Sequence, residues 1–145
     1  MIDNNIKDCR EDMDMTQKEL GYIFGVHEST ISGWETGKDT IPLTKLVRFC
    51  NLYHHSLDYV IGLTRENKKY NEITKIDKKK IGIKLKNWRK INNLTQEQVA
   101  KEFMISQTSY GNYERGCYLI NSLTLYSICK KYGLSMDEFL SRKLK

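Results

Sequence analysis

Residues 16–37 read TQKELGYIFGVHESTISGWETG, and residues 95–116 read TQEQVAKEFMISQTSYGNYERG. Both stretches open with Thr-Gln, continue with helix-like spacing of apolar residues, pass through a short break and end at a glycine. Thr16 and Glu19 have the S/T-x-x-E/Q spacing of a capping box, and Thr95 and Gln98 have the same spacing in the second stretch. A capping box satisfies free amide donors at a helix N-terminus. Each stretch therefore predicts two helices joined by a tight turn.

The similarity of the two stretches extends over most of the chain. Identical residues recur 79 positions later without a gap, among them Arg10 and Arg89, Glu35 and Glu114, Cys50 and Cys129, and Tyr53 and Tyr132. So many identities in one register indicate two copies of one fold. We expect a first domain at residues 1–63, a charged linker at 64–80 and a second domain at 81–145. The linker is either an exposed segment or an extension of the second domain's first helix.

The predicted fold class is all-α, with five helices in each copy. The 145 residues are 39% hydrophobic and include one proline, and their apolar spacing is helix-like. Gly21 and Ala100 are the small residues expected where helices two and three approach each other. Gly25 suits the turn between these helices because a positive φ favours glycine. Gly37 and Gly116 are placed to cap the third helices.

Composition and charge narrow the function classes. The formal net charge of +6 suits a polyanionic partner. No apolar run reaches the roughly 18–20 residues that span a bilayer, and the first residues lack a secretory pattern, so we expect a cytoplasmic protein without a membrane partner. His27, His54 and His55 form no recognisable catalytic constellation, and no phosphate-binding G-x-x-x-x-G-K-[ST] motif occurs, so we do not expect an enzyme.

The four cysteines show no pattern of a metal site. They form no C-x-x-C pair and have no histidine at metal-ligand spacing, so we expect neither a metal nor a cofactor. The interpretation is that Cys9, Cys50 and Cys129 are buried thiols and that Cys117 lies in a loop.

The two quoted stretches resemble the phage-repressor and Cro-like family of helix-turn-helix domains, often called XRE-type. The resemblance covers nearly all of both copies and implies two tandem five-helix, lambda-repressor-like DNA-binding domains. Members of the family are typically bacterial or phage transcriptional regulators. The implied function is sequence-specific binding of double-stranded DNA, as a repressor, with helix three of one or both domains in the major groove.

The resemblance also implies which residues contact DNA. Gln17 and Gln96 would contact phosphate at the start of helix two. Apart from the resemblance, the positive charge of Lys38, just beyond helix three, could also meet phosphate. The base-facing residues of helix three would be His27, Glu28, Ser29 and Gly33 in the first copy, and Ser106, Gln107, Thr108 and Asn112 in the second. Side-chain chemistry supports part of this, because Gln107 could pair with adenine and Thr108 could touch a thymine methyl group, whereas Glu28 could only accept.

Other positions would have structural roles or depart from the family pattern. The resemblance suggests that Arg10 with Glu35, and Arg89 with Glu114, form a salt bridge between helix one and the end of helix three. Met104 stands where the turn glycine is expected, so that turn must be strained or adopt another geometry. Two further departures are Tyr110, in place of a β-branched core residue, and Gly111, which weakens helix three by roughly 1 kcal/mol relative to alanine.

Charge distinguishes the two copies. Residues 1–63 have a net charge of −4, residues 64–80 of +4 and residues 81–145 of +6. Phosphate contacts supply most non-specific affinity, so we expect the second domain to bind DNA more strongly. The acidic first domain could instead meet a protein partner, which leaves an adaptor or antitoxin-like binder as the alternative function. The two copies could read two half-sites, or one copy could support a homodimer.

Overall fold

The computed structural model describes residues 2–145, which divide into two compact units. Unit 1 contains the described residues up to Ile73 together with Arg142–Lys145, and unit 2 contains Thr74–Ser141. Met1, which was predicted to begin the first domain, lies outside the described residues. Residues 2–145 form ten helices, and the only β-structure among them is an isolated bridge, so the all-α prediction is confirmed.

Unit 1 contains five helices: α1 (Ile6–Asp12), α2 (Gln17–Phe24), α3 (Glu28–Thr36), α4 (Leu43–Tyr53) and α5 (Leu57–Ile61). The predicted capping box opens α2, because Thr16 Oγ1 accepts from Glu19 N at 3.0 Å and Glu19 Oε1 accepts from Thr16 N at 3.0 Å. Gly25, at φ 66°, ends α2 in the left-handed conformation. The apolar faces of all five helices meet in one core, in which Leu46 is fully buried.

Unit 2 repeats this arrangement with α6 (Lys78–Ile91), α7 (Gln96–Glu102), α8 (Gln107–Glu114), α9 (Ser122–Tyr132) and α10 (Met136–Phe139). The expectation of five helices per copy is therefore confirmed. Thr95 and Gln98 form the second capping box. The Asp77 carboxylate opens α6 by accepting from the amides of Lys79 and Lys80, both at 3.1 Å.

The segment between the copies is divided between the two units. Residues 64–73 fold onto unit 1: Asn67 Oδ1 accepts from Ser56 N at 2.9 Å, and the Asn51 amide nitrogen donates to the carbonyl oxygen of Ile73 at 2.7 Å. Residues 78–80 form the first turn of α6. The predicted linker at 64–80 is therefore partly an ordered extension of the first copy and partly an extension of the second copy's first helix.

The last four residues also belong to unit 1, although the expected second domain ran to residue 145. Arg142 donates to the carbonyl oxygens of His55 at 3.0 Å and Asn71 at 3.3 Å, and Tyr70 forms an antiparallel bridge with Leu144. The +3 of this tail and the +1 of residues 64–73 offset the −4 of residues 1–63. Unit 1 is therefore neutral, and unit 2 carries the net +6.

Helices two and three cross closely in each copy, as the small residues predicted. A Cβ added at Gly21 would lie 2.6 Å from the carbonyl oxygen of Val26, so in unit 1 the turn before α3 approaches α2 too closely for a side chain at this position. Ala100 occupies the equivalent place in unit 2 and is 3% exposed. In unit 2, Gly82 of α6 lies against α8, because a Cβ there would be 2.4 Å from the carbonyl oxygen of Glu114.

The interpretation of the cysteines is confirmed. Cys9, Cys50 and Cys129 are buried, and Cys117 is exposed after α8. Burial, together with the nearby Asp12 and Asp8 carboxylates, raises the pKa of Cys9 to about 12. A thiol with so high a pKa stays protonated at neutral pH and acts as a small core residue.

Tyr110, the unusual core residue of the second copy, is fully buried in α8. Its hydroxyl lies beside the Arg89–Glu114 pair without a hydrogen bond of good geometry, and burial raises its pKa. The aromatic ring fills the place of Ile31 in the first copy, which is also fully buried. The larger residue is thus accommodated within the core.

Met104 resolves the question that the sequence left open about the second turn. Its φ is 57°, close to the 66° of Gly25, so the turn keeps the left-handed geometry and a methionine occupies it. Its side chain is 92% exposed. The second turn is therefore strained, because a left-handed residue with a Cβ costs roughly 1–2 kcal/mol.

We expect Met104→Gly to stabilise unit 2 by about 1 kcal/mol, since the strain is removed and the exposed side chain gives up little contact. Amide hydrogen exchange of α7 and α8 peptides measures this change, with α2 and α3 peptides as the internal reference. The matched control is Gly25→Met, which places the strain in unit 1 and should destabilise it by a similar amount. If amide exchange slows in neither α7 nor α8 of the Met104→Gly variant, the prediction is contradicted.

Candidate nucleic-acid interface

The start of α8 presents a row of exposed polar side chains. Ser106 caps the helix, with its Oγ accepting from Ser109 N at 3.0 Å, and Gln107 and Thr108 follow it in the first turn. All three of these predicted base-facing residues are exposed, whereas Tyr110 on the opposite face lies in the core. The helix is therefore anchored on one side and free on the other to meet a ligand through polar groups.

The start of α3 presents a different set. His27 caps the helix, with Nδ1 accepting from Ser29 N at 3.1 Å, and Glu28 follows it; all three residues are exposed. The imidazole is thus held against the backbone and the hydroxyl of Ser29. This surface is poorer in free donors than the start of α8.

Gly33 is buried, so the base-facing position predicted there is not available as a surface. A Cβ added at Gly33 would lie 2.7 Å from Asp39 Oδ2, which shows that the Asp39 carboxylate covers it. The backbone holds Asp39 in place, because its amide donates to the carbonyl oxygen of Gly33 at 3.1 Å. The first copy thus has a negative charge on the face where the second copy has Asn112.

Asn112, the equivalent of Gly33, is partly exposed and forms a hydrogen bond with Arg115, which the sequence analysis did not assign to the site. Arg115 Nη2 donates to Asn112 Oδ1 at 2.5 Å. The Arg115 guanidinium lies over Gly111, where a Cβ would be 3.1 Å from Nη1 and 3.3 Å from Gln96 Oε1. The i,i+3 spacing of Asn112 and Arg115 was the available signal, since such residues are neighbours on a helix surface.

The two glutamines predicted to meet phosphate are tied to the glutamate that ends helix three. Gln17 Nε2 donates to Glu35 Oε1 at 2.9 Å, and Gln96 Nε2 donates to Glu114 Oε1 at 3.0 Å. An amide nitrogen carries two N–H groups, so one donor remains for a phosphate oxygen. These bonds also fix the start of helix two against the end of helix three.

The same glutamates form the predicted salt bridges, which are confirmed in both units. Arg10 Nε lies 2.5 Å from Glu35 Oε2, and Arg89 Nε lies 2.6 Å from Glu114 Oε2. Each pair is bidentate, with the second bond at 3.1 or 3.0 Å, and each arginine also donates to a backbone carbonyl oxygen. The arginine side chains are 10% and 12% exposed and the glutamates 3%, so both pairs are nearly buried.

The ionisation of Glu114 depends on this pairing. Burial by itself raises its pKa, but the hydrogen bonds from Arg89 and Gln96 outweigh burial and hold the pKa below its usual value. The hydrogen bond with Glu114 in turn raises the pKa of Arg89. Both groups are therefore charged at neutral pH, and together they orient α8.

Lys38, the predicted phosphate contact beyond α3, is exposed in the loop after that helix. The equivalent residue in unit 2 is Cys117, which carries no charge. There Lys78, from the first turn of α6, donates through Nζ to the carbonyl oxygen of Cys117 at 3.3 Å. A lysine ammonium group thus lies beside this loop in both units. Alignment of the two copies shows only Lys38, because Lys78 comes from a different part of the chain.

No helix within residues 2–145 is long and apolar enough to cross a membrane. Within the same residues, no group of three or more His, Cys, Asp or Glu side chains is placed to hold a metal ion.

Comparison with known proteins places each copy in a helix-turn-helix family. The family described as "Helix-turn-helix" matches residues 6–60, and the family described as "Helix-turn-helix domain" matches residues 82–145. Each match covers most of one copy of the repeat.

Individual relatives match one part of the chain. An uncharacterized HTH-type transcriptional regulator of Bacillus subtilis (strain 168), YobD, is 33% identical over 64 residues, which are 44% of this chain and 57% of that protein. The crystal structure of the clp gene regulator ClgR from C. glutamicum aligns with 49% of this chain and 91% of its own, at 22% identity and a TM-score of 0.42. Because each copy of the repeat matches a helix-turn-helix family and folds as five helices, the chain belongs to the helix-turn-helix proteins, as a tandem pair of XRE-like domains.

Proposed function

We propose that the chain is a sequence-specific, double-stranded DNA-binding transcriptional regulator and that unit 2 is its principal reader. The observation that carries this proposal is the exposed polar start of α8 on the unit that holds the net +6. An α-helix with its side chains is about 10–12 Å across, which fits a major groove about 12 Å wide. Repression is the proposed mode of action, because a protein seated in the groove excludes others from the same site.

The polar groups of α8 match the chemistry of base edges. Gln107 can donate to N7 and accept from the N6 amino group of one adenine, and the Thr108 methyl group can pack on a thymine methyl group. Ser106 lies at the start of the helix, where the free amides and the helix dipole favour an anionic phosphate. The second N–H of Gln96 and the ammonium group of Lys78, which lies beside the loop after α8, add phosphate contacts around the helix.

Unit 1 is a weaker reader in this proposal. Its net charge is zero, Asp39 covers the face of α3 around Gly33, and Glu28 occupies the position equivalent to Gln107. A carboxylate near phosphate is repelled, and it can accept only from a donor such as the cytosine amino group. Unit 1 could read a second half-site weakly or support a homodimer.

The second candidate function is a protein-interaction adaptor or antitoxin-like binder, with DNA binding secondary or lost. The observation that favours it is the acidity of unit 1 outside its ordered tail, where the exposed Asp39 lies in the loop after α3 and Glu11 and Asp12 lie on α1. Neither candidate involves catalysis. A cytoplasmic location is part of the regulator proposal, since the DNA of a bacterial or phage regulator lies there.

Selection from a random double-stranded DNA library at about 150 mM salt, close to physiological ionic strength, tests the proposal. We expect the purified chain to enrich at least one defined sequence box. Two unlike boxes at fixed spacing would show that both units read DNA, and one box would assign reading to a single unit. No enrichment, with weak affinity that disappears as salt rises, would refute the regulator and favour the adaptor.

A further inference from the structure

The contact between Arg115 and Asn112 fixes which way one amide of α8 faces. A guanidinium has only N–H donors and no acceptor, so the atom of Asn112 that meets Arg115 Nη2 must be the carbonyl oxygen Oδ1. The amide nitrogen then points away from Arg115. The orientation follows from hydrogen-bond chemistry.

The backbone of α8 makes room for this contact. Arg115 reaches Asn112 by passing over Gly111, and a side chain at Gly111 would crowd both the guanidinium and Gln96. Glycine costs roughly 1 kcal/mol in a helix interior relative to alanine. Glycine at position 111, which departs from the family pattern, therefore weakens the helix but leaves room for the Arg115 guanidinium to reach Asn112.

The first copy lacks every member of this arrangement. Its equivalents of Gly111, Asn112 and Arg115 are Ser32, Gly33 and Thr36. Gly33 is covered by a carboxylate, and Thr36 Oγ1 donates to the carbonyl oxygen of Gly33 at 3.3 Å. Any role for the pair thus belongs to unit 2 alone.

The pairing changes what Asn112 can recognise. A free asparagine amide suits adenine, because it accepts from the N6 amino group while it donates to N7. Because Oδ1 is turned toward Arg115, the groups of the pair that face away from this contact are the Asn112 amide N–H groups and the remaining guanidinium N–H groups, which are all donors. Guanine is the base that presents two acceptors, O6 and N7, to the major groove.

We propose that Arg115 is a specificity-determining residue, which positions Asn112 so that this part of α8 selects guanine over adenine at the base pair that Asn112 faces. The inference rests on the proposed function of unit 2 as a DNA reader, and it deepens that proposal by assigning a base preference to one pair of side chains. Arg115 acts here through Asn112, with its own free donors on the same face.

The test is a library selection with the wild-type chain, Arg115→Ala and Asn112→Ala. Arg115 is exposed, and circular dichroism checks that both variants fold as the wild type does. We expect the wild type to prefer guanine at one position by about tenfold, the scale of a good base contact. Arg115→Ala should shift that same position toward adenine, and Asn112→Ala should remove its preference, while the remaining positions of the site stay unchanged.

Three results would overturn the inference. If Arg115→Ala weakens binding uniformly, with the base preference intact and the salt slope reduced by about one, Arg115 contacts phosphate only. If the two variants affect different positions, they do not act as a pair. If the wild type enriches nothing, the proposed function itself fails and the inference falls with it, which is distinguishable from the first two results.

Discussion

Replacement of Arg89 by methionine is expected to destabilise unit 2 by about 3–5 kcal/mol, because it leaves the Glu114 carboxylate buried without its cation. Glu114 is 3% exposed, and after the substitution its remaining side-chain donor of good geometry is Gln96. Methionine keeps much of the arginine's apolar stem, so the loss is mainly electrostatic. For a unit of this size the midpoint of thermal unfolding should fall by more than about 10 °C.

Hydrogen exchange of α8 peptides assigns the loss to unit 2, with α3 peptides of unit 1 as reference. The control is Lys7→Met, because Lys7 and Glu11 form an exposed pair at 4.0 Å with side chains 64% and 55% exposed. Such a pair contributes at most about 1 kcal/mol. A loss from Arg89→Met as small as that from Lys7→Met would show that the buried pair is not a main support of α8.

The double variant Arg89→Met with Glu114→Met separates the net contribution of the pair from the cost of an unpaired charge. Removing both charges should cost less than removing Arg89 alone, because no buried ion is left without a partner. Unfolding free energies of the two single variants and the double variant complete the cycle. Additive losses would mean that the two charges do not interact.

The effect of Arg89→Met should depend on pH with a defined sign. In the wild type, the pKa of Glu114 is held below its usual value, so its contribution is present above the unfolded pKa and is lost as pH falls through the folded pKa. In the variant, burial dominates and the folded pKa lies above the unfolded one, so protonation now favours the folded state. The difference in unfolding free energy should therefore shrink as pH is lowered from 7 toward 4.

The sequence predicted the features that depend on local pattern. The capping boxes, the glycine after the third helix and the Arg–Glu pairs all follow from residues at fixed spacing, repeated 79 positions later. Met104 was recognised as an anomaly at a turn, but the pattern could not decide between strain and a different turn. That choice depends on how firmly α7 and α8 are held by their own packing.

The features that were missed depend on contacts between distant residues. Asn51 binds the backbone of the segment that had been predicted as linker, and Asn67 of that segment binds the backbone of Ser56. Nothing in the composition of the segment distinguishes those bonds from solvation. The return of residues 142–145 to unit 1 rests on Arg142 and backbone pairing, which have no signature in a single sequence. The first domain was therefore predicted as residues 1–63 with a net charge of −4, whereas the folded unit includes two further basic segments and is neutral.

The asymmetry between the units consequently rests less on total charge than on particular side chains. The two third helices each have a side-chain N-cap, His27 or Ser106, and the same type of buried ion pair, so both backbones are held in place. They differ in what they expose: Glu28 against Gln107, and the carboxylate of Asp39 against the Asn112–Arg115 pair. At both places unit 2 presents N–H donors where unit 1 presents a carboxylate. The negative charge of a carboxylate is repelled by DNA phosphates.

Gln107→Ala should therefore weaken binding to the selected DNA site by about tenfold or more, the scale of one bidentate base contact. Glu28→Ala, at the equivalent position of unit 1, should leave affinity unchanged or raise it slightly, because it removes a negative charge from a surface that faces phosphate. Fluorescence anisotropy with the selected duplex and a scrambled duplex, at one fixed salt concentration, measures both effects.

The two duplexes separate recognition from general attraction. Gln107 carries no charge, so its loss should lower affinity for the selected duplex and leave affinity for the scrambled one nearly unchanged. Removal of Glu28 should act on both duplexes alike, since the carboxylate repels phosphate whatever the sequence. Equal losses from the two variants on the selected duplex would mean that both third helices read bases, and the assignment of reading to unit 2 would then be wrong.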